Sequence, residues 1–269
     1  MKTVIRSAVV RIAPHYWFRR RIRKLSQAEP ELKLLPYLCG SGSLSIDVGA
    51  NFGLWTYYLV PISLKVVAFE PLPEMQSILH RQFGKRIQLE RIALSQAPGR
   101  STIRFPIGNP SWATIEPTNN LALANGMGLA SVEVVTKRLD DYDFRKVGFI
   151  KIDVEGHEEK VIEGAVNTIA RERPNIVVEA EERHNAGSVL RLANRFHDLG
   201  YDGFFVDRGF VRDVASFDLS QDQPPGNVSV RGKVGRYINN FIYIPAERRA
   251  AICTNIGVEE HAASVSVVH

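Results

Sequence analysis

The chain has 269 residues, of which 45% are hydrophobic and 23% are charged, and its formal net charge is +5 at pH 7. This composition is that of a folded globular protein and excludes a disordered or collagen-like chain. The two cysteines, Cys39 and Cys253, have no paired spacing, which argues against a disulfide framework and a zinc site. No apolar run reaches membrane-spanning length. We therefore expect a cytoplasmic protein with one large α/β domain.

Residues 1–43 are predicted to form a helical lead-in. Apolar residues between 4 and 12 fit one helix face, and His15 to Leu25 is predicted as a second helix. This second helix carries a cluster of cations, namely Arg19, Arg20, Arg21, Arg23 and Lys24. A solvated basic face is the simpler interpretation, and contact with an anionic membrane surface is the alternative. Nucleic acid is disfavoured because no aromatic-plus-basic strand pattern accompanies the cluster.

The stretch from residue 45 to residue 71 has the pattern of a βαβ nucleotide-binding unit. A first apolar strand runs into a turn at Gly49, a short helix follows, and a second apolar strand ends at Glu70. Gly49 and Gly53 would let the backbone approach a ligand closely. Glu70 would accept hydrogen bonds from a ribose diol.

The glycine pattern of this turn indicates which nucleotide it binds. A dinucleotide fingerprint that starts at Gly49 would need glycines where the chain has Asn51 and Leu54, so a nicotinamide-dependent oxidoreductase is disfavoured. The alternation Asp47, Gly49, Asn51 and Gly53 resembles motif I of class I S-adenosylmethionine-dependent methyltransferases. In that class the turn passes the amino-acid end of the ligand and cradles no phosphate.

Helices and strands continue to alternate after this unit. A helix over 73–83 precedes a third strand, which is predicted over 87–94. Residues 99–105 and 131–136 alternate polar and apolar side chains, as the two arms of a hairpin do. The segment 109–127 between them is predicted as a long loop, and long loops are often functional.

The second half of the chain continues the alternation to residue 245. Its predicted elements are strands over 149–152, 175–178, 201–206 and 240–244 and helices over 161–169 and 189–199. Residues 218–236 are predicted to be mobile, and residues 246–269 are predicted to be a tail of little structure. Strands that alternate with helices predict an α/β fold, with a mostly parallel sheet and helices on both faces.

Polar residues fall at or just after five of the predicted strands. They are Asp47, Glu70, Ser95, Asp153 and Glu179. Because ligands in parallel α/β sheets bind beyond the carboxyl ends of the strands, this convergence predicts a site at that edge.

Several blocks of the sequence together resemble the FkbM family of methyltransferases. They are Ile-Asp-Val-Gly-Ala-Asn-Phe-Gly (46–53), Phe-Glu-Pro (69–71), Ala-Leu-Ser (93–95), Leu-Asp (139–140), Lys-Ile-Asp-Val-Glu-Gly-His-Glu (151–158), Arg-Pro-Asn-Ile-Val-Val-Glu (173–179) and Asn-Phe-Ile-Tyr-Ile-Pro (240–245). The resemblance implies a seven-stranded Rossmann-like sheet, and the predicted β-hairpin and loop are then an insertion in it. It also implies S-adenosylmethionine as cofactor and O-methylation of a sugar, glycan or polyketide-type natural product. The methyltransferase domain is then 44–245, between the lead-in 1–43 and the tail 246–269.

The cofactor is expected to contact the residues that follow the first three strands. They are Asp47, Gly49, Asn51, Gly53, Glu70, Pro71, Ala93, Leu94 and Ser95. The acceptor is expected to be a small molecule or a glycan. Trp112, Thr114 and Glu116 of the long loop are candidates for lining its pocket.

Methyl transfer to an alcohol needs an oriented oxygen atom and a general base. Asp153, Glu155, His157 and Glu179 are the candidates for that base. Asp153 is favoured by its place at a strand end, and His157 titrates in the useful range. Complementing a helix N-terminus is the alternative role for Glu155, and capping or packing is the alternative role for His157.

Two further alternatives stay open at this point. Asp153 and Glu179 would also suit a divalent ion such as magnesium, although no metal ligand is assigned. A non-catalytic module that keeps the methyltransferase fold for binding is the alternative to an enzyme.

Overall fold

The structure, a computed structural model, describes residues 14–124, 126–229 and 232–256. The predicted helix face between residues 4 and 12 lies outside them. The helices are α1 (Pro14–Leu25), α2 (Leu35–Leu38), α3 (Leu54–Leu59), α4 (Pro73–Phe83), α5 (Glu158–Glu163), α6 (Val166–Glu172), α7 (Ser188–Asp198), α8 (Leu219–Asp222) and α9 (Arg249–Ile256).

The strands of the described residues form one large sheet and two small ones. They are β1 (Leu44–Val48), β2 (Lys65–Phe69), β3 (Gln88–Glu90), β4 (Ala93–Leu94), β5 (Gly99–Pro106), β6 (Leu129–Lys137), β7 (Val147–Ile152), β8 (Asn175–Glu179), β9 (Tyr201–Asp207), β10 (Phe210–Asp213), β11 (Val228–Ser229), β12 (Gly232–Lys233) and β13 (Asn240–Pro245).

The large sheet has the strand order β10-β9-β13-β8-β7-β1-β2-β3. Neighbouring strands from β8 to β3 pair in parallel, whereas β13 runs antiparallel to both β8 and β9. The prediction of a mostly parallel Rossmann-like sheet is confirmed. The edge strand β10 adds an eighth strand that the sequence did not predict. It folds back on β9 through a tight turn at Arg208 and Gly209, which both have positive φ.

The predicted third strand divides into two strands that belong to different sheets. β3 pairs with β2 in the large sheet, and β4 pairs with β6 in a three-stranded sheet of order β4-β6-β5. The prediction of one strand over 87–94 was therefore wrong, because the chain crosses between the two sheets at residues 91–92. The predicted hairpin is confirmed, with Ser101 opposite Val134 in the β5–β6 pair.

The single helix predicted after Asp153 is also two helices, α5 and α6, which are separated at Gly164. A Cβ atom on Gly164 would lie 2.1 Å from the carbonyl oxygen of Ser95, so glycine allows the end of α5 to approach β4. The carboxylate of Asp140 then accepts hydrogen bonds from the backbone N–H groups of Asn167 and Thr168. These bonds satisfy free donors at the start of α6.

Helices cover both faces of the large sheet, as the sequence predicted. One apolar layer packs β7 against α6 and α7 and includes Ile150, Ile169 and Phe196. The other includes Phe149 with Leu59 of α3, and it also contains residues of α2, α4 and α9. The sheet core is therefore closed on both sides, which leaves the strand ends as the accessible edge.

The ends of the chain and its late segment also contain regular structure. The predicted helix over His15 to Leu25 is confirmed as α1. Residues 218–236, for which the sequence predicts mobility, include α8 and the two-stranded ribbon β11–β12, and residues 249–256 of the tail form α9. None of the described helices is long and apolar enough to cross a membrane.

Candidate active site

A cleft opens at the carboxyl ends of β1, β2 and β7 and encloses about 600 Å³, including its open mouth. The chain order reverses between β1 and β7, and this is the position where open α/β sheets bind ligands. Nine predicted site residues line the cleft, namely Gly49, Asn51, Glu70, Pro71, Ala93, Leu94, Asp153, Glu155 and His157. Four others, Asp47, Gly53, Ser95 and Glu179, are not among its lining residues.

Glu70 presents a buried carboxylate to the cleft, with only 4% of the residue exposed. Its Oε2 accepts a hydrogen bond of 2.7 Å from the N–H of Asn51, and its Oε1 accepts one of 2.8 Å from the N–H of Leu72. Burial raises the pKa of Glu70 to about 7 although these bonds favour the ionised form. Each oxygen has a further lone pair, so the carboxylate can also accept hydrogen bonds from a diol.

Asn51 connects the first turn to the long loop. Its backbone is left-handed, with a φ of 52°, which asparagine tolerates better than most residues. Its side-chain Oδ1 accepts a hydrogen bond of 2.8 Å from the N–H of Phe52. Its Nδ2 donates to the carbonyl of Ser111 at 3.4 Å, and the hydroxyl of Ser111 donates back to Oδ1 at 3.3 Å. The two walls of the cleft therefore meet at this residue.

The two glycines of the first turn are needed for packing between protein segments. Both have positive φ, 77° at Gly49 and 96° at Gly53. A Cβ atom at Gly49 would lie 1.8 Å from the carbonyl oxygen of Asp153, and one at Gly53 would lie 2.6 Å from the ring of Phe83. The sequence predicted glycines that admit a ligand. Gly49 does line the cleft, but the space at Gly53 is taken by α4.

Asp47 lies below the cleft. It is buried, and its Oδ2 accepts a hydrogen bond of 2.5 Å from the hydroxyl of Thr56. Burial raises the pKa of Asp47 to about 6 against the effect of that bond. The residue therefore joins β1 to α3 and supports the turn that faces the cleft.

His157 is buried between two hydrogen-bond partners. Its Nδ1 lies 3.2 Å from Oε2 of Glu116, and its Nε2 lies 3.0 Å from the hydroxyl of Ser95. Burial favours the neutral form of Glu116, but hydrogen bonds from His157 and Lys160 outweigh it and hold the pKa of Glu116 below its usual value. An ionised carboxylate only accepts, so Nδ1 carries the proton and Nε2 accepts from Ser95.

This arrangement keeps His157 neutral with a lone pair on Nε2. Burial lowers the pKa of the imidazole, although the hydrogen bond to Glu116 opposes that change. A neutral histidine whose tautomer is fixed by a carboxylate is suited to accept a proton. Ser95, predicted as a cofactor contact, is the hydrogen-bond partner of this histidine and is not among the lining residues of the cleft.

The long loop contributes four residues to the cleft, and from Ser111 onward they alternate with residues that do not line it. Pro110, Ser111, Ala113 and Ile115 line it, whereas Thr114 and Glu116 are buried behind it. Trp112, Thr114 and Glu116, which were predicted to line the acceptor pocket, are not among the residues that line this cleft. From residue 113 to residue 116 the chain is extended, and successive side chains point to opposite sides. The segment is fixed by a β-bridge between Thr114 and Arg104. The sequence did not indicate this pairing.

Glu155 has a left-handed backbone, with a φ of 54°, which is unusual for a residue other than glycine. Its carbonyl accepts two hydrogen bonds of 2.8 Å, from the hydroxyl of Thr114 and the side chain of Asn119. Its Oε2 lies 3.0 Å from Nε2 of His184. Burial raises the pKa of Glu155 and lowers that of His184 to about 4.

Asn119 and His184 were not predicted from the sequence. Each is far from Glu155 in the chain, and neither belongs to a recognisable motif.

Glu179 lies away from the cleft beside the fully buried Lys151. Its Oε2 is 3.9 Å from the ammonium of Lys151, and its Oε1 accepts a hydrogen bond of 2.6 Å from Asn239. Burial and the charge of Asp153 raise the pKa of Glu179, and burial also raises the pKa of Asp153. Within the described ranges, no group of three or more His, Cys, Asp or Glu residues is placed to hold a metal ion.

The strand order, the acid at the end of the second strand and the cleft beyond the strand ends are together the features of the Rossmann-like methyltransferase class. The model of the FkbM methyltransferase domain matches residues 47–202. The chain belongs to this family.

Two curated proteins are similar to the chain. Methyltransferase sdnD of Sordaria araneosa is 25% identical, over 60% of this chain and 74% of that protein. Methyltransferase 1 of Beauveria bassiana is 28% identical, over 51% of this chain and 64% of that protein.

Solved structures are more distant in sequence. The FkbM methyltransferase of Methylobacillus flagellatus is 16% identical, with a TM-score of 0.48, over 76% of this chain and 44% of that one. A Streptococcus mutans protein in complex with SAH is 8% identical, with a TM-score of 0.44, over 80% of this chain and 96% of that one. The chain thus matches less than half the length of the Methylobacillus protein.

Proposed function

We propose that the protein transfers the methyl group of S-adenosylmethionine to a hydroxyl of a sugar, glycan or polyketide-type acceptor. The observation that carries this proposal is one cleft that brings together Glu70 from the end of β2 with Asp153 and His157 from the end of β7. Membership of the FkbM family supports methyl transfer. The oxygen nucleophile and the class of acceptor are our inference.

The β1–β2 side of the cleft fits S-adenosylmethionine. The buried carboxylate of Glu70 would accept hydrogen bonds from the ribose hydroxyls, and the turn at Gly49 and Asn51 would contact the amino-acid end. Ile92 and Leu94 add apolar surface to the lining of the cleft, which suits the adenine ring. When bound, this cofactor supplies an electrophilic methyl group on a sulfonium.

The β7 side of the cleft would orient the acceptor and take its proton. As the new carbon–oxygen bond forms, the bond from methyl to sulfur breaks and the hydroxyl proton must leave. Asp153 is the base that we assign, because burial raises its pKa and makes its carboxylate a stronger base than an exposed aspartate. His157 is the second candidate, with a lone pair on Nε2 at 3.0 Å from Ser95.

Calorimetric titration with S-adenosylmethionine, beside NAD, tests the cofactor. We expect the wild type to bind S-adenosylmethionine alone and Glu70→Ala to bind it at least about tenfold more weakly. Glu90→Ala is the matched control, because Glu90 ends the neighbouring strand β3 and does not line the cleft. Binding of NAD by the wild type, or equal affinity in all three proteins, would contradict the proposed donor site.

A panel of hydroxylated acceptors then tests the reaction, with formation of S-adenosylhomocysteine as the measurement. Turnover with a sugar or polyketide hydroxyl is the expected result. Cofactor binding without turnover on any acceptor would favour a non-catalytic binding module. A cytoplasmic location belongs to the same proposal, since two cysteines without paired spacing suit a reducing compartment.

A further inference from the structure

The positive charge of the protein is concentrated at the start of the chain. The first 28 residues include eight Lys or Arg and no Asp or Glu. The remaining 241 residues include 26 Lys or Arg against 29 Asp or Glu. The molecule is therefore a slightly acidic domain with a strongly basic end, and such asymmetry indicates an anionic partner for that end.

Helix α1 is held on the domain by its apolar side. Ile22 is 1% exposed and packs with Phe52 and Met75. The ring of Phe18 meets the rings of Tyr57 and Phe83 edge to face, at centroid distances of 6.0 and 5.7 Å. The orientation of α1 is thus fixed by packing, and its cations are presented on a defined surface of the protein.

The cations of α1 form a basic face that continues onto α4. We use this name for the exposed residues Arg20, Arg21, Arg23, Lys24 and Arg81, which line one shallow groove. Among the residues that the structure describes, those that line this groove include no acid. Across the described ranges, none of the five cations forms an ion pair within 4 Å.

Other cations of the protein do have such partners. Arg138 pairs with Asp141 at 2.6 Å, and Arg191 pairs with Glu159 at 2.7 Å. Since like charges repel, five clustered cations without an internal acid cost stability, and an external anion would remove that cost.

We propose that the basic face docks on an anionic membrane surface. The residues around it favour lipid over nucleic acid. Tyr16, at the start of α1, is 61% exposed, and Trp17 lines the groove. Aromatic residues beside cations are typical of segments that lie at a lipid headgroup layer.

The sequence before α1 supports the same partner. Residues 1–13 combine apolar residues with Lys2, Arg6 and Arg11 and contain no acid. Such a segment does not complement the basic face, because both are positive. It does have the composition of a chain that lies in an interface with anionic lipid.

The basic face also lies close to the candidate active site. The guanidinium of Arg21 is 4.1 Å from the ring centroid of Phe52, and Phe52 follows Asn51, which lines the cleft. Docking would therefore bring the cleft near the membrane. Membrane binding itself does not rest on the proposed function.

Co-sedimentation of the full chain with lipid vesicles tests the proposal. We expect binding to phosphatidylcholine vesicles that contain about 30% phosphatidylglycerol, and no binding to pure phosphatidylcholine. The variant Arg20→Gln/Arg23→Gln/Lys24→Gln should bind the anionic vesicles about 100-fold more weakly, because each cation near the surface contributes to the attraction. All three substituted side chains are exposed, so the fold should persist, which circular dichroism would check.

A matched control removes the same charge elsewhere. Lys65→Gln/Arg195→Gln/Arg208→Gln changes three exposed cations in separate parts of the domain and should keep wild-type binding. Equal loss in both triple variants would show that net charge, and not the basic face, governs binding, and would overturn the proposal.

Salt and RNA give two measurements that do not depend on any variant. Raising the salt from about 0.1 M to about 0.5 M should release the wild type from the anionic vesicles. Binding that survives this salt, or equal binding to neutral vesicles, would contradict an electrostatic membrane contact. A single-stranded RNA that bound more tightly than the vesicles under the same conditions would replace the membrane with a nucleic acid.

Discussion

The two sides of the cleft are built from different kinds of contact. On the β1–β2 side, which we propose as the donor side, the N–H of Asn51 meets the carboxylate of Glu70, and the two residues are 19 positions apart within one βαβ unit. On the β7 side, which we propose as the acceptor side, side chains join distant segments: His157 meets Glu116 and Ser95 across 41 and 62 positions. The donor side therefore follows from local backbone geometry, whereas the acceptor side depends on how separate elements pack.

Gly49 is the point where the two sides touch, and its replacement should have the largest effect. Gly49→Ala would bring a Cβ atom to within 1.8 Å of the carbonyl oxygen of Asp153 at a φ of 77°. We expect a loss of about 3 kcal/mol or more in the free energy of unfolding, measured in urea. Gly209→Ala is the control, since Gly209 has a φ of 90° in open space and should lose only about 1–2 kcal/mol. Equal losses would show that backbone strain alone is responsible.

On the acceptor side, Asp153→Asn should reduce turnover by about 100-fold or more, because the amide cannot accept the hydroxyl proton. The affinity for S-adenosylmethionine should change little. Glu179→Gln, which alters an acid outside the cleft, should reduce turnover by less than about tenfold. Steady-state kinetics with any acceptor found in the panel gives the comparison. Near-normal turnover in Asp153→Asn would transfer the role of base to His157.

Glu116→Gln tests whether side chains behind the cleft control its chemistry. This substitution removes the negative charge that stabilises the protonated imidazole of His157, so the pKa of the imidazole should fall further. We expect a decrease in kcat of about tenfold, an acid limb of the pH–rate profile that moves to lower pH, and unchanged cofactor affinity. Glu159→Gln, on the same α5 but paired with Arg191, should leave all three unchanged. A weaker cofactor affinity without a shift of the acid limb would indicate a purely structural role.

The smallest expected effect concerns Glu158, whose Oε1 accepts hydrogen bonds from the N–H groups of Gly156 and Val154 at 2.9 and 3.3 Å. Burial raises its pKa to about 7. A raised acid pKa stabilises the fold below the unfolded value, near pH 4.5, and that stability is lost as the pH rises to about 7. Glu158→Gln keeps an acceptor oxygen, so it should be more stable than the wild type at pH 8 by about 1 kcal/mol. Thermal unfolding at pH 5 and pH 8 measures this, and an identical pH dependence in both proteins would contradict it.

The difference between local contacts and contacts of distant segments also explains which features could be predicted from the sequence. Asp47, Asn51 and Glu70 lie in one short βαβ motif, and the pattern of its strands, turn and helix predicts the position of each residue. Nothing local indicated that Thr114 and Asn119 both hold the carbonyl of Glu155, because those contacts exist only after β5, β6 and β7 have assembled.

Predictions were also less reliable where they depended on which side of an extended segment a residue faces, or on which strand it pairs with. The sequence predicted a functional role for the loop 109–127 and predicted that Thr114 and Glu116 face its pocket. The pairing of this segment with Arg104 directs the other set of alternate side chains toward the cleft. Likewise, the run 87–94 has the apolar content of one strand, and only the pairing of β4 with β6 divides it.

Because side chains alternate in this loop, the residues that line the cleft can be substituted independently of the residues that form hydrogen bonds behind it. Ala113 and Ile115 line the cleft, whereas the alternate residues Thr114 and Glu116 are held by hydrogen bonds to Glu155 and His157. A substitution at 113 or 115 would reshape the cavity without breaking those bonds. If the cleft holds the acceptor as proposed, single changes at these two positions would alter the acceptor preference, while Thr114 and Glu116 keep Glu155 and His157 in place.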